Sequence, residues 1–370
     1  MAAAPRRILT VNAGSSSLKL RVLDGEDRVV CSRDSGSITG EAALRDELAA
    51  ILNGGGPIEA AGHRVVHGGP DFTGPTVLDP SVEDKLDQLA DLAPLHNPPA
   101  VAAMRALDAL RPGLPTVACF DTAFHAQMPA AASTYAVPAA WSERWPLRRF
   151  GFHGLSHSYA SRRAAELLDR PLDQLRIVTA HLGAGASLAA VHGGRSVDTT
   201  MGFTPLDGLV MATRSGSVDP GLLLWVQRHG GFEAEEMERA LDRESGLLAL
   251  SGISGDMREV IAEAEQGDKR CRLAFDTYIH RLAASVAGMA AAMNGLDALV
   301  FTGGVGEGSP KVREAVASAT SFLGIAIEVD RGDSAPIDSV LSPAGVAVAS
   351  VLVLAREDLE IAAQVRSTIP

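Results

Sequence analysis

The stretch Ile8-Leu9-Thr10-Val11-Asn12-Ala13-Gly14-Ser15-Ser16-Ser17-Leu18-Lys19-Leu20-Arg21-Val22 decides how this chain is read. Its first four residues are short, largely apolar and β-branched, the composition of a buried strand. Residues 12–17 are turn formers that break the strand. From Leu18 apolar and polar residues alternate, the pattern of a half-buried second strand. The stretch therefore predicts a hairpin with a small, hydroxyl-rich tip followed by Lys19. Backbone N–H groups and hydroxyls in such a tip approach a phosphate closely, and Lys19 adds charge. Read alone, it is more commonly an ordinary Ser/Gly turn.

A second stretch repeats the plan. Arg176-Ile177-Val178-Thr179-Ala180-His181-Leu182-Gly183-Ala184-Gly185-Ala186-Ser187-Leu188 again runs strand, polar residue, glycine-rich turn, strand. Without gaps, Arg7, Ile8, Thr10, Gly14 and Val22 align on Arg176, Ile177, Thr179, Gly183 and Val191. Two copies of one unit predict a duplicated domain. Two such hairpins facing each other would clamp a nucleotide and its metal.

The totals fit this reading. A chain of 370 residues is long for one core and suggests about two domains. Apolar residues make up 46% and charged residues 21%, enough for a large core. A formal net charge of −12 argues against a general nucleic-acid or anionic-membrane binder, so an anionic substrate must be met by locally placed Arg and Lys. Cys31, Cys119 and Cys271 lie far apart and suit a reducing cytoplasm. No stretch reaches the ~18–20 apolar residues of a membrane helix.

Strand and helix patterns alternate along the rest of the chain, which points to an α/β fold. Residues 41–52 form an amphipathic helix, and residues 82–92 a second. Between them Gly62-His63-Arg64-Val65-Val66-His67-Gly68-Gly69 is a basic strand closed by glycines. Arg64 there has the donors to grip a carboxylate or phosphate, or is a surface arginine on an edge strand. Residues 116–120 form a buried strand, and Asp121 stands at its carboxyl end, where open α/β sheets bind ligands. As a bland alternative, Asp121 caps the following turn. Trp141 and Trp145 mark a loop. His153 and His157 are four apart at a helix start, yet no zincin-type Glu follows His153, so His153 reads as a donor to an anion rather than a zinc ligand.

Arg214 lies in a loop of small residues and has the reach of an arginine finger or of a loop ion pair. Asp219-Pro220 caps the next helix. Residues 298–302 form a strand, followed by Gly303-Gly304-Val305-Gly306-Glu307-Gly308 and a helix from Pro310. Strand, glycine loop and helix is a nucleotide-binding layout, although neither a Walker A loop nor a clean dinucleotide fingerprint is present.

Taken in order, VNAGSSSLK from Val11, GHRVVHGG, LAPLHNPP, FDTAFH, FGFHGLSH, MGFTPL, TRSGSVDP, TGGVGEGS and EDLEIA from Glu357 resemble the acetate kinase family. That family belongs to the superfamily of actin, sugar kinases and heat-shock chaperone ATPases. The resemblance spans nearly the whole chain. It implies two duplicated actin-like (ribonuclease H-like) α/β domains flanking a nucleotide cleft, with residues 1–121 plus 358–370 in one and 122–357 in the other.

It further implies reversible transfer of the γ-phosphoryl group of ATP to acetate, giving acetyl phosphate, with Mg²⁺ or Mn²⁺, in a cytoplasmic homodimer. By carry-over, Asn12 and Glu357 hold the metal. Asp121, His153 and Arg214 are catalytic. Arg64, Val66, Leu95 and Pro205 bind the acid. Lys19, His181, Leu182, Gly183, Ala184, Gly185, Asp256, Met257, Arg258, Gly304, Val305, Gly306, Glu307 and Gly308 meet ATP. No nucleic acid or membrane is implied. Ala184 and Gly308 replace the family's usual Asn, Ala212 replaces Gly, and the run between Leu23 and Gly62 is short. Losing the Ala184-position side-chain hydrogen bond costs about 1 kcal/mol. Related expectations are a propionate or butyrate kinase, a non-catalytic ATPase clamp, and a sugar kinase; the small apolar, Arg-lined pocket argues against the last.

Overall fold

The structure is a computed structural model that describes residues 7–14, 17–36, 38, 40–93, 96–328 and 338–369. Ser15 and Ser16 of the first turn, and Leu95, lie outside the described residues. The chain divides into two units. The first comprises Met1–Ala126, Phe152–Tyr159 and Arg356–Pro370, and the second Gln127–Gly151 and Ala160–Ala355.

The first unit is built on a sheet of β1 (Ile8–Ala13), β2 (Leu18–Leu23), β3 (Val29–Ser35), β4 (Ala60–Val65), β5 (Thr76–Val77) and β6 (Thr116–Phe120), in the order β3-β2-β1-β4-β6-β5. The second unit is built on β7 (Arg176–Leu182), β8 (Ala186–His192), β9 (Arg195–Thr199), β10 (Ala298–Thr302), β11 (Ser339–Val340) and β12 (Ala349–Leu352), in the order β9-β8-β7-β10-β12-β11. The two orders are the same. So are the senses: β1 pairs antiparallel with β2 and parallel with β4, and β7 pairs antiparallel with β8 and parallel with β10. The expected duplication is present.

The echo extends to side chains. Arg7 donates to the Gly55 carbonyl at 3.0 Å, and Arg176 to the Asn294 carbonyl at 2.9 Å. Each arginine lies against a glycine of positive φ just before the parallel strand, Gly56 (φ 72°) and Gly295 (φ 137°). The positive φ at both positions favours glycine, and a Cβ there would also press on the arginine Nη1.

The gapless alignment needs one correction. It holds to Gly14 and Gly183 and then slips, because four residues join Ala13 to Leu18 but three join Leu182 to Ala186. By register Val22 corresponds to Ala190, not Val191. A β-bulge confirms this shift, falling between Val22 and Leu23 in one copy and between Ala190 and Val191 in the other.

Alternation along the strands sets the two faces of the first sheet. Leu9, Val11, Leu20 and Val22 pack with Leu48, Ile51 and Leu107 of the helices Glu41–Gly54 and Asn97–Leu110. On the other face Ile8, Leu23, Ala60, Val117 and Cys119 pack with Ile361, Ala362 and Val365 of the last helix, Glu357–Thr368. Gly62 allows this close approach, since a Cβ there would lie 2.4 Å from Ile361. In the second unit β7, β8 and β10 are buried along almost their whole length. The Trp141–Trp145 region, expected as a loop, forms a short helix, Ala139–Arg144, with no buried residue.

His63 is a buried cost within β4. It is 1% exposed, and neither ring nitrogen has a partner among the described residues. Burial pushes its pKa down to about 3, so it folds neutral. The unfolded chain binds a proton near the ordinary value of 6.5, which means stability present above pH 6.5 is lost as pH falls toward 3. Between pH 7 and 5 the protein is expected to lose about 2 kcal/mol more than a His63→Leu variant. Urea unfolding at both pH values checks this, and parallel losses in the two proteins would refute it.

Candidate active site

Three parallel strands of the first unit deliver their carboxyl ends to one place. Asn12 comes from β1, Arg64 from β4, and Asp121 follows β6 directly. Register brings them level: β4 pairs with β1 on one side and with β6 on the other, and the Asp121 N–H donates to the Val65 carbonyl at 2.9 Å. Arg64 therefore stands on an interior strand, which removes the edge-strand alternative.

The side chains form one network. Arg64 Nη2 donates to Asp121 Oδ2 at 2.6 Å, and its Nε lies 3.2 Å from both carboxylate oxygens. Arg64 Nη1 donates to Asn12 Oδ1 at 3.3 Å and pairs with Glu357 Oε2 at 3.6 Å. Asn12 Nδ2 donates to the same Glu357 oxygen at 2.9 Å. Burial pulls the Arg64 guanidinium down, but the charges of Asp121 and Glu357 and the hydrogen bonds to Asp121 outweigh it, holding the cation above its ordinary value. Asp121 is fully buried whereas Arg64 and Glu357 keep 18% and 15% exposure. Asp121 is thus a fully buried anchor for the arginine, while the Arg64 and Glu357 side chains each keep some exposure.

Asn12 and Glu357 offer hard oxygen donors one hydrogen bond apart. Mg²⁺ commonly takes one or two protein oxygens and completes its shell with water and phosphate, so this donor set fits it. Among the described residues no group of three His, Cys, Asp or Glu is arranged to hold a metal.

His153 enters the same unit on the residues that open the helix Gly154–Leu167. Its φ is 56°, a left-handed conformation costly for any side chain. The local packing fixes it there. The Gly154 N–H donates to the Asp121 carbonyl at 3.1 Å, and a Cβ on Gly154 would lie 2.0 Å from that oxygen. Phe152 is buried against His67, and its carbonyl lies 3.1 Å from His125 Nε2. The rings of His153 and His157 are 6.4 Å apart between centroids. Val66 is buried just beyond β4, and Lys19 is exposed on β2, opposite Asn12 in register.

The second unit holds the remaining candidates. Arg214 Nε donates to Asp242 Oδ1 at 2.8 Å, and its Nη1 lies 3.4 Å from the Pro205 carbonyl. Nothing near Arg214 in sequence announces Asp242. Gly246 (φ 64°) closes the loop, since a Cβ there would meet the Met211 and Arg214 carbonyls at 2.3 and 2.7 Å. The Ala212 N–H donates to the Ala184 carbonyl at 3.1 Å, so two of the family departures touch. This bond ties the turn of Gly183, Ala184 and Gly185, which follows His181 and Leu182 of β7, to the Arg214 loop. A Cβ on Gly255 would lie 2.7 Å from the Ala212 carbonyl, which brings the next segment alongside. There Asp256 caps the helix Met257–Glu265 and pairs with Arg258 at 2.6 Å, while Met257 is buried.

The glycine run differs from the expected open loop. Gly303, Gly304, Val305, Gly306, Glu307 and Gly308 coil into a short helix. Glu307 Oε1 accepts the Gly303 N–H at 2.8 Å, and buried Arg313 donates to the Gly306 and Glu307 carbonyls at 2.9 and 2.8 Å. Both ends of the turn are thereby satisfied. Elsewhere in this unit a cavity of about 390 Å³ is lined by Arg149, Asp198, Asp207 and Arg281 among others, but by none of the site residues named from sequence.

The chain is similar to known proteins over most of its length. The sequence profile of the Acetokinase family matches residues 39–363. The chain is 50% identical to the acetate kinase of Synechococcus sp. (strain JA-2-3B'a(2-13)), over 87% of this chain and 78% of that protein. Among solved structures, the acetate kinase of Porphyromonas gingivalis superposes with a TM-score of 0.90 at 34% identity, covering both chains completely. A propionate kinase from Francisella tularensis subsp. tularensis SCHU S4 superposes with a TM-score of 0.89 at 34% identity, covering 98% of this chain and 100% of that one.

Proposed function

The chain belongs to the acetokinase family, and from that membership we propose that it is an acetate kinase, a phosphotransferase that moves the γ-phosphoryl group of ATP reversibly to the carboxylate of acetate. The observation that carries this reading is Arg64, a partly exposed side chain held by a buried carboxylate beside Asn12 and Glu357.

A carboxylate is already a nucleophile at neutral pH, so the reaction needs no strong base. The barrier lies in joining two anions and in stabilising charge on the equatorial phosphoryl oxygens. Arg64 binds and orients the acid through its fork of donors, and Asp121 orients Arg64 rather than taking a proton. By resemblance to the family, Val66 and Pro205 are assigned to the methyl group of the acid, as is Leu95, which lies outside the described residues. His153 and Arg214 place positive charge where the transferring group gains negative charge. Asn12 and Glu357 would hold Mg²⁺ or Mn²⁺, which supplies further charge neutralisation at the phosphates when bound. Lys19, the turn after His181 and Leu182, the segment from Asp256 to Arg258, and the glycine helix bind ATP. Because Ala184 and Gly308 lack the family's usual Asn side chains, ATP is gripped with fewer polar side chains.

Two further properties belong to this reading. The helix Pro220–Gly230 buries none of its residues and leaves Leu222, Leu224 and Trp225 at least half exposed, which supports a homodimer. The three cysteines are free, which supports work in the reducing cytoplasm; no helix among the described residues is long and apolar enough to cross a membrane.

A second reading, a propionate kinase, is favoured by the equal identity to the Francisella protein. One methylene changes binding by only about 1–3 kcal/mol, so small differences in the pocket decide. Trapping with hydroxylamine tests the choice. With MgATP, acetate is expected to give acyl hydroxamate at least about tenfold faster than butyrate, and faster than propionate. A propionate maximum would establish the second reading, and ADP without hydroxamate would overturn both.

A further inference from the structure

The short run 353–355 enters the last helix with every backbone N–H held. The Val353 N–H donates to the Phe301 carbonyl at 3.0 Å. The Leu354 N–H donates to Asp338 Oδ1 at 2.9 Å, and the other Asp338 oxygen accepts from Arg163 Nε at 2.8 Å. The Ala355 N–H donates to Glu307 Oε1 at 2.8 Å. That same Glu307 oxygen accepts the Gly303 N–H, the first of the glycine helix, also at 2.8 Å.

One carboxylate oxygen thus bridges two segments far apart in sequence. On one side is the glycine helix. On the other is the residue two positions before Glu357, whose carboxylate accepts from Asn12. A displacement of either segment lengthens a charge-assisted bond to the shared oxygen, so each feels the other. The Arg313 bonds to the Gly306 and Glu307 carbonyls stiffen the helix, so it moves as a body rather than fraying away from Glu307.

We propose that Glu307 is a positioning residue that couples nucleotide at the glycine helix to the metal-ligating carboxylate of Glu357. The coupling rests on the reading above, in which the glycine helix meets ATP and Glu357 meets the metal. Glu307 spends one oxygen on backbone N–H groups, and its task is to keep the path from Ala355 to Glu357 in step with the helix. Metal and nucleotide then strengthen each other's binding, as linkage requires of coupled sites.

Calorimetric titration with ADP, with and without Mg²⁺, reads this coupling without turnover. The quantity is the factor by which Mg²⁺ raises ADP affinity. In Glu307→Ala that factor is expected to fall about tenfold. Glu307→Gln keeps the acceptor oxygen and is expected to keep the factor. An unchanged factor in the alanine variant overturns the proposal, whatever happens to its metal-free ADP affinity. Hydrogen exchange on the wild type gives a readout that needs no variant: MgADP is expected to slow exchange of the amides at 353–357 more than metal-free ADP does, and equal slowing overturns the proposal. The hydroxylamine assay on the wild type separately tests the acyl kinase reading, so a failure of one is not mistaken for a failure of the other.

Discussion

Replacing Arg214 with alanine is expected to lower the rate of acyl phosphate formation by about a thousandfold or more, the range found when an arginine that stabilises a transferring phosphoryl group is removed. The loss should fall on kcat, with the KM for acetate little changed, because Arg214 acts on charge that develops only in transfer. The fold should survive. Arg214 and its partner Asp242 are each about one-fifth exposed, so breaking their pair leaves Asp242 in reach of water rather than stranded. Arg214→Lys retains the charge but loses the planar fork and the Nε that Asp242 holds, so only partial recovery is expected. Initial rates of hydroxamate formation for both variants, beside their thermal midpoints, check this. Activity within tenfold of wild type in the alanine variant would remove Arg214 from the catalytic set.

Asp121 carries the second large effect, for a different reason. Its carboxylate is fully buried and meets the guanidinium through three contacts of 2.6–3.2 Å. Asp121→Ala leaves Arg64 short of its main counter-charge, and breaking such a pair costs about 3–5 kcal/mol. Asp121→Asn keeps the shape and is the better kinetic probe. It is expected to lower kcat/KM for acetate by about a hundredfold or more through a misplaced Arg64. Because Asp121 is assigned to orient Arg64, adding Asp121→Asn to an Arg64→Ala enzyme should cause little further loss. Full additivity in that double-mutant cycle would show that Asp121 acts on the reaction independently of Arg64.

Much of the duplicated α/β fold is legible in the sequence because its signals are local. Thr116–Phe120 and Ala298–Thr302 are short apolar runs with clear ends, and Asp219 and Asp268 cap their helices as turn chemistry dictates. The hairpin echo is visible because both copies keep Ile-x-Thr before the glycine. The missing turn residue is not, since a gapless comparison ignores register. Legibility falls off where function depends on distant partners. Arg64 and Asp121 could each be suspected from position, yet their pairing across 57 residues comes only from β4 and β6 lying side by side. Asp242 supports Arg214 from 28 residues away. Glu307 reaches Ala355 across 48, and a glutamate inside a glycine run reads as a loop residue. The left-handed backbone of His153 is likewise silent in a sequence where nothing but Gly154 hints at the close approach to Asp121.

The central claim is that a carboxylate oxygen attacks the γ-phosphorus of ATP. The most direct test incubates the protein with MgATP and acetate labelled with ¹⁸O in its carboxylate, and follows the products by ³¹P NMR. The account predicts acetyl phosphate whose phosphorus resonance carries the isotope shift of one ¹⁸O, in the bridging position. ADP and unlabelled inorganic phosphate as the only products, with acetate untouched, would mean that water is the acceptor and would contradict it.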